Sequence, residues 1–171
     1  MPSVVRKSQF TNVRPTGQRA QSDFSSDTSL LFGLVRFLNY MGQEFERYAA
    51  TLDLSLPEWR VMIVIGNYPK LSAVEVADAT GYSEMNISRI VRRLLEKGYA
   101  GRSMSRSDRR RAELKLTRAG TRIYDVMLPN TRDAEREVME ALSPEDLKHL
   151  RSIVERLNQQ VGPATRAVNR T

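Results

Sequence analysis

The sequence predicts a mainly α-helical chain that carries one small β-hairpin, and three patterns predict it. Apolar residues recur at helical spacing over most of the chain. Serines followed three residues later by an acid mark helix starts, because the two side chains satisfy the first free N–H groups of a helix. Near residue 112 the apolar period changes from helical to alternating, which is typical of a half-buried strand.

The first predicted helix runs from about Thr28 to Thr51, and residues 1–27 before it are predicted to form a flexible basic arm. The first half of this helix is apolar nearly all round, which indicates burial against more than one neighbour. Its apolar residues are Leu30, Leu31, Leu34, Val35, Leu38, Met41, Phe45 and Tyr48.

Three shorter helices follow. The first opens at the capping box 55–58 and runs through Ile65, and the second opens at the box 72–75 and ends at Gly81. Ser83 caps the third, which ends at Gly98. One face of this third helix forms an apolar stripe of Ile87, Ile90, Val91, Leu94 and Leu95.

A basic hairpin follows the third helix. Ala112, Leu114 and Leu116 alternate with charged residues and predict a strand, with 102–106 as its partner and 107–111 as the tip. Helix, short helix, amphipathic helix and hairpin stand in the order of a winged helix-turn-helix. We assign this domain to residues 53–117.

Two predicted helices complete the chain. A long one starts near Thr117 and Gly120 and runs to about Leu142, with a kink or break expected at Pro129. Another starts at the box 143–146. A small central domain cannot cover the apolar faces of the flanking helices, so residues 28–52 and 118–171 are predicted to form a helical dimerisation region. The apolar face of the last helix comprises Leu147, Leu150, Ile153, Val154, Leu157 and Val161.

Positive charge is concentrated in the predicted winged helix. The whole chain has a formal net charge of +7, whereas residues 83–122 hold twelve basic and four acidic residues, a net +8. Such a localised excess on a winged helix indicates a nucleic-acid partner, here double-stranded DNA.

The third helix is the predicted recognition helix. With its apolar stripe turned inward, Arg89 faces outward near the N-terminal half, where recognition helices meet base edges and a guanidinium matches guanine. The alternative is a solvated charged face without a DNA role. The predicted DNA-contact set is Ser83, Met85, Asn86, Ser88, Arg89, Arg92 and Arg93.

The hairpin tip is the predicted wing. Its arginines suit the narrow minor groove of A·T-rich DNA, and Asp108 can anchor a neighbouring arginine. Asp108 can instead be a turn residue with no further role. The predicted wing contacts are Arg102, Arg106, Asp108, Arg109, Arg110 and Arg111.

Composition argues against several classes of protein. Cysteine is absent and His149 is the single histidine, so no metal site, cofactor or catalytic constellation is expected, and an enzyme is not predicted. The longest apolar run is Val61–Ile65, and the N-terminus has no apolar signal segment, so we expect a cytoplasmic protein without a membrane partner.

Residues 54–120 resemble the MarR family of multiple-antibiotic-resistance-type regulators. The resemblance rests on Leu56-x-x-Trp59-x-Val61, on Ile90-Val91-x-x-Leu94-x-x-Lys97-Gly98-Tyr99, and on the wing pattern Arg102-x5-Asp108-Arg109-Arg110 followed by Leu114-x-Leu116-Thr117-x-x-Gly120. It implies a homodimer whose two recognition helices enter successive major grooves of a palindromic operator. It also places Arg109 at the wing tip, although Arg111 stands where the family usually has a small residue.

The resemblance further implies a crevice for a small aromatic or anionic effector that lowers DNA affinity. The residues that would line it are Arg36, Asn39, Tyr40, Trp59, Met62 and Ile63. Alternatively Trp59 and Met62 are ordinary core residues and Arg36 pairs with an acid of the partner chain.

We therefore predict a sequence-specific transcriptional regulator, a homodimeric repressor released by such an effector. The rival function is a nonspecific nucleoid-type architectural protein, which would bind DNA with steep salt dependence and little site preference. A winged helix that binds only proteins is a further alternative, against which the wing charge argues.

Overall fold

The computed structural model describes residues 29–104 and 112–161, and in these ranges it has a mainly helical architecture with one small β-hairpin, as the sequence predicts. The chain divides into two compact units, unit 1 through Leu56 and unit 2 from Pro57 onward. The elements are α1 (Leu30–Thr51), α2 (Leu56–Asn67), α3 (Ala73–Thr80), α4 (Glu84–Glu96), β1 (Ala100–Met104), β2 (Ala112–Leu116), α5 (Arg118–Met139) and α6 (Pro144–Val161).

Unit 1 is built around α1. Ser29 caps this helix by accepting a hydrogen bond from the Phe32 N–H at 3.3 Å. Gly42 and Ala49 are its buried residues, and the space beside Gly42 is filled by the Leu56 side chain. The N-terminal half of α1 has no comparable buried side chains, because its large apolar residues are exposed. Leu30, for example, is 75% exposed.

Unit 2 has a core to which each of its elements except α6 contributes buried residues. In α3 the predicted capping box is formed: Ser72 Oγ accepts from the Glu75 N–H, and Glu75 Oε2 accepts from the Ser72 N–H at 2.7 Å. The largest fully buried side chains are Met62, Ile65, Ile87, Leu94, Leu114, Met127, Val61, Val76 and Val91.

The two strands pair antiparallel, from Ala100 opposite Leu116 to Met104 opposite Ala112. A single-residue bridge from Leu71 to Leu114 adds a third line of backbone pairing. The predicted partner strand at 102–106 was placed two residues too late. The buried Ala100 starts the strand, because Gly98 adopts a left-handed conformation that turns the chain directly from α4 into the sheet.

The last two helices are close to their predicted extents. Thr117 caps α5, which ends at Met139 rather than near Leu142. α5 continues through Pro129, so the helix does not break there, and a kink at that residue stays a prediction. None of the residues of α6, all of which the structure describes, is buried. No helix in the described ranges is long and apolar enough to cross a membrane.

Candidate nucleic-acid interface

The recognition-helix residues share an exposed face of α4. Ile87, Ile90, Val91 and Leu94 are buried against unit 2, as the stripe predicts, while Leu95 is half-buried. The opposite face exposes Met85, which is 74% exposed, together with Ser88, Arg89, Arg92 and Arg93. Asn86 is half-buried at its edge. The structure thus brings the predicted set together, whereas its contact with DNA stays a prediction.

Hydrogen bonds order the N-terminal end of this face. Ser83 Oγ accepts from the Asn86 N–H at 3.3 Å and so caps α4. The Arg89 guanidinium donates to Asn86 Oδ1. That bond uses one of the two lone pairs of Asn86 Oδ1, so the second lone pair and the Nδ2 donors stay available for a two-bond contact with adenine. Arg89 keeps further N–H donors for a base edge.

Two surface grooves flank the exposed face of α4. One lies between the start of α2 and α4, and the other lies between α4 and β1, where Arg102 joins Arg89 and Arg92. None of the described residues that line either groove is acidic. The first groove is lined by Pro57, Tyr82, Asn86, Arg89, Ile90 and Arg93, and the second by Ser88, Arg89, Arg92, Leu95 and Arg102.

The wing is described only at its base. Arg102 and Met104 are exposed residues of β1, and contact of Arg102 with DNA stays a prediction. The other predicted wing contacts lie outside the described residues, namely Arg106, Asp108, Arg109, Arg110 and Arg111.

An ion pair with a buried carboxylate holds the C-terminal end of α4. Lys97 Nζ lies 3.2 Å from Glu58 Oε2, and the Glu58 side chain is only 3% exposed. The bond joins the C-cap of α4 to the first turn of α2. Sequence reasoning assigned Glu58 only to the cap of its own helix. A glutamate followed by an apolar run is a cap signal, and nothing local identifies a partner 39 positions away.

The elements α4, β1 and α5 meet at a closely packed junction. Thr117 Oγ1 donates to the Gly98 carbonyl at 2.6 Å and accepts from the Gly120 N–H at 3.0 Å. The first turn of α5 lies so close to Tyr99 that a Cβ built on Gly120 would stand 1.9 Å from the Tyr99 carbonyl oxygen. This contact explains the Thr-x-x-Gly part of the wing pattern: threonine ties the junction and glycine leaves room for it.

A second polar link that sequence reasoning missed joins α2 to the turn before α4. Arg60 Nη1 donates to the Tyr82 hydroxyl oxygen at 2.9 Å. Tyr82 is held between two caps, since Gly81 ends α3 with a φ of 72° and Ser83 begins α4. The sequence signal was weak, because Arg60 is a single exposed basic residue on a mostly apolar helix.

The predicted effector residues fall in both units. In unit 1, Arg36, Asn39 and Tyr40 are exposed on α1. In unit 2, Trp59 and Met62 are buried and Ile63 is half-buried. The burial of Trp59 and Met62 agrees with the alternative that they are core residues, and the effector crevice stays a prediction. Within the residues that the structure describes, no group of three or more His, Cys, Asp or Glu could hold a metal ion.

An exposed, largely basic helix in this position, followed by a β-hairpin and packed on two shorter helices, defines a winged helix-turn-helix protein. Residues 52–111 match the sequence model of a family described as "MarR family". The HTH-type transcriptional regulator YfiV of Bacillus subtilis (strain 168) is 30% identical over 95 residues, which are 56% of this chain and 59% of YfiV.

Two further proteins resemble this chain over a longer stretch. The HTH-type transcriptional repressor IacR of Pseudomonas putida is 24% identical over 136 residues, covering 80% of this chain and 81% of that protein. The S. aureus MepR–DNA complex has the same fold, with a TM-score of 0.72 and 15% identity over 80% of this chain and 99% of MepR. The chain therefore has the winged helix-turn-helix fold, and its residues 52–111 are similar to the MarR family.

Proposed function

We propose that this protein is a MarR-type transcriptional regulator, a homodimer that reads a palindromic operator with the exposed face of α4 and represses transcription from it. The observation that carries the proposal is the face itself. A rigidly capped helix presents Met85, Arg89 and Arg92 to solvent, and grooves without acidic lining residues lie on both sides of it. The solved complex of MepR with DNA, a protein of the same fold, supports a DNA partner.

The exposed apolar faces of α1 and α6 support the homodimer. Monomeric proteins rarely expose contiguous apolar patches of this kind. In α6, four apolar residues at helical spacing are each close to half exposed or more, namely Ile153, Val154, Leu157 and Val161. In α1, Leu30, Leu31, Val35 and Leu38 are more than half exposed. A second copy that covers these faces gives an assembly with two recognition helices related by two-fold symmetry.

Repression and release by an effector are the remaining parts of the proposal. The name of the P. putida relative, a repressor, supports repression.

Release of the protein from DNA by an effector would require an aromatic or anionic ligand that favours a dimer shape with low DNA affinity. Arg36 is exposed, so Arg36→Ala can be made without disturbing the core. We expect this variant to bind DNA normally while its DNA complex resists dissociation by benzoate and related aromatic carboxylates.

Base reading by Arg89 tests the central part of the proposal. On a duplex selected for tight binding, Arg89→Ala should cost about 1–3 kcal/mol and relax preference at one base pair. The measurement is fluorescence anisotropy on the duplex and on its single-base variants. Lys148→Ala, which removes one charge from an exposed position on α6, is the matched control and should preserve the base preference. An Arg89→Ala variant with unchanged affinity and preference would rule out α4 as the reading helix.

A further inference from the structure

We propose that Arg60 and Tyr82 form a phosphate clamp, a site that holds one phosphodiester group of the DNA backbone beside the recognition helix. The inference rests on the proposed DNA-binding function and adds two residues to it. Neither residue lies on the exposed face of α4: Arg60 belongs to α2, and Tyr82 lies in the turn between α3 and α4.

The hydrogen-bond chemistry of the pair leaves donors available for an anion. Arg60 Nη1 donates to the Tyr82 hydroxyl oxygen, so the Tyr82 O–H has its own proton to give elsewhere. The Arg60 guanidinium uses one of its five N–H groups in this bond, and it is not paired with an acid among the described residues. Arginine and hydroxyl donors side by side are a common arrangement for phosphate contacts in protein–DNA complexes.

The location of the pair fits a backbone phosphate rather than a base. Tyr82 lines the groove between α2 and α4 together with Arg89 and Arg93. When the face of α4 enters the major groove, the flank of that helix meets the sugar–phosphate strand that borders the groove. Arg89 and Arg93 line this groove, Arg60 is bonded to its lining residue Tyr82, and none of the described lining residues is acidic.

The clamp is rigid before DNA arrives. The backbone of Tyr82 is fixed by the left-handed Gly81 on one side and the helix cap Ser83 on the other. The Tyr82 N–H also donates to Thr80 Oγ1 at 3.4 Å. A donor pair that is already positioned loses little conformational entropy when it binds, so its contact adds to affinity and fixes the orientation of α4.

Salt dependence separates a phosphate contact from a purely structural link between α2 and the turn. We would measure dissociation constants from about 50 to 300 mM salt on a selected duplex and on an unrelated duplex of the same length. Arg60→Ala should weaken binding to both duplexes by about tenfold and lower the salt slope by about one per protomer. Tyr82→Phe removes a neutral donor, so it should weaken both by about threefold with an unchanged slope. Arg60→Lys keeps the charge and should keep the slope, and Lys148→Ala should match the wild type.

Neutral methylphosphonate placed at each backbone position in turn then locates the contact. One position should weaken the wild type by about tenfold and leave Arg60→Ala unaffected, because the variant has already lost that contact. The proposal is overturned if a folded Arg60→Ala, checked by circular dichroism, keeps the wild-type slope and is sensitive at every position where the wild type is. It is also overturned if Arg60→Ala abolishes saturable binding of inorganic phosphate while the methylphosphonate profile stays unchanged, since the site then serves a free anion. A wild type that binds neither duplex would instead contradict the proposed function itself.

Discussion

At the scale of single residues, Gly120 has the closest neighbouring atom of the glycines that the structure describes. Any side chain there would overlap the Tyr99 carbonyl oxygen, and backbone cannot move aside as a flexible side chain can. We expect Gly120→Ala to lower the free energy of unfolding in urea by about 3 kcal/mol or more. Gly101→Ala is the control, because a Cβ there meets only ordinary contacts at 3.7 and 3.9 Å. Equal stability of the two variants would contradict this account of the junction.

The ion pair between Glu58 and Lys97 makes a second prediction at this scale. Lys97→Met leaves the Glu58 carboxylate buried without its cation, so we expect a loss of about 3 kcal/mol in unfolding free energy. Adding Glu58→Gln should recover most of that loss, since the buried charge is then absent. Arg92→Met breaks an exposed pair with Glu96, at 3.9 Å, and should change stability by less than about 1 kcal/mol. A double variant no more stable than Lys97→Met would show that the pair is not what stabilises this link.

At the scale of elements, the start of α6 predicts a dependence on pH. The Ser143 hydroxyl, and then its backbone N–H, donate to Asp146 Oδ2 and hold the pKa of that carboxyl below its ordinary value of 3.8. A pKa lowered by folding means that the carboxylate stabilises the protein above pH 3.8 and loses this effect as the pH falls through the folded-state pKa. The difference in unfolding free energy between the wild type and Asp146→Asn should therefore be constant near neutral pH and shrink in acid. A difference that stays constant down to about pH 2 would contradict the assignment.

Local signals predicted the elements well, and contacts between elements account for the misses. The serine caps at Ser72 and Ser83 fixed helix starts, and the apolar stripe of α4 fixed its buried face, because these patterns depend on neighbours within one or two turns. The start of β1 was misplaced because the segment 100–104 has no clear alternation, and only pairing of Ala100 with Leu116 defines it. The partners of Glu58 and Arg60 are 39 and 22 positions away, so no local pattern reveals them.

At the scale of the whole molecule, the exposed apolar face of α6 predicts that dimerisation and operator reading are coupled. Leu157→Lys places a charge on that face and should shift the protein toward monomer in sedimentation equilibrium. Its operator affinity should fall steeply, because one recognition helix alone contacts half of the site. Glu155→Lys also introduces a lysine, with a larger change of charge but away from the apolar stripe, and should stay dimeric. A Leu157→Lys variant that remains dimeric would assign the interface elsewhere.

Selection of bound sequences from a random DNA pool at about 0.15 M salt tests the central claim most directly. The proposed two-fold arrangement of two α4 helices predicts an enriched motif with two-fold symmetry and half-sites about one helical turn apart. Retention of the pool that is sensitive to salt, with no motif enriched, would contradict the claim and identify a nonspecific architectural protein instead.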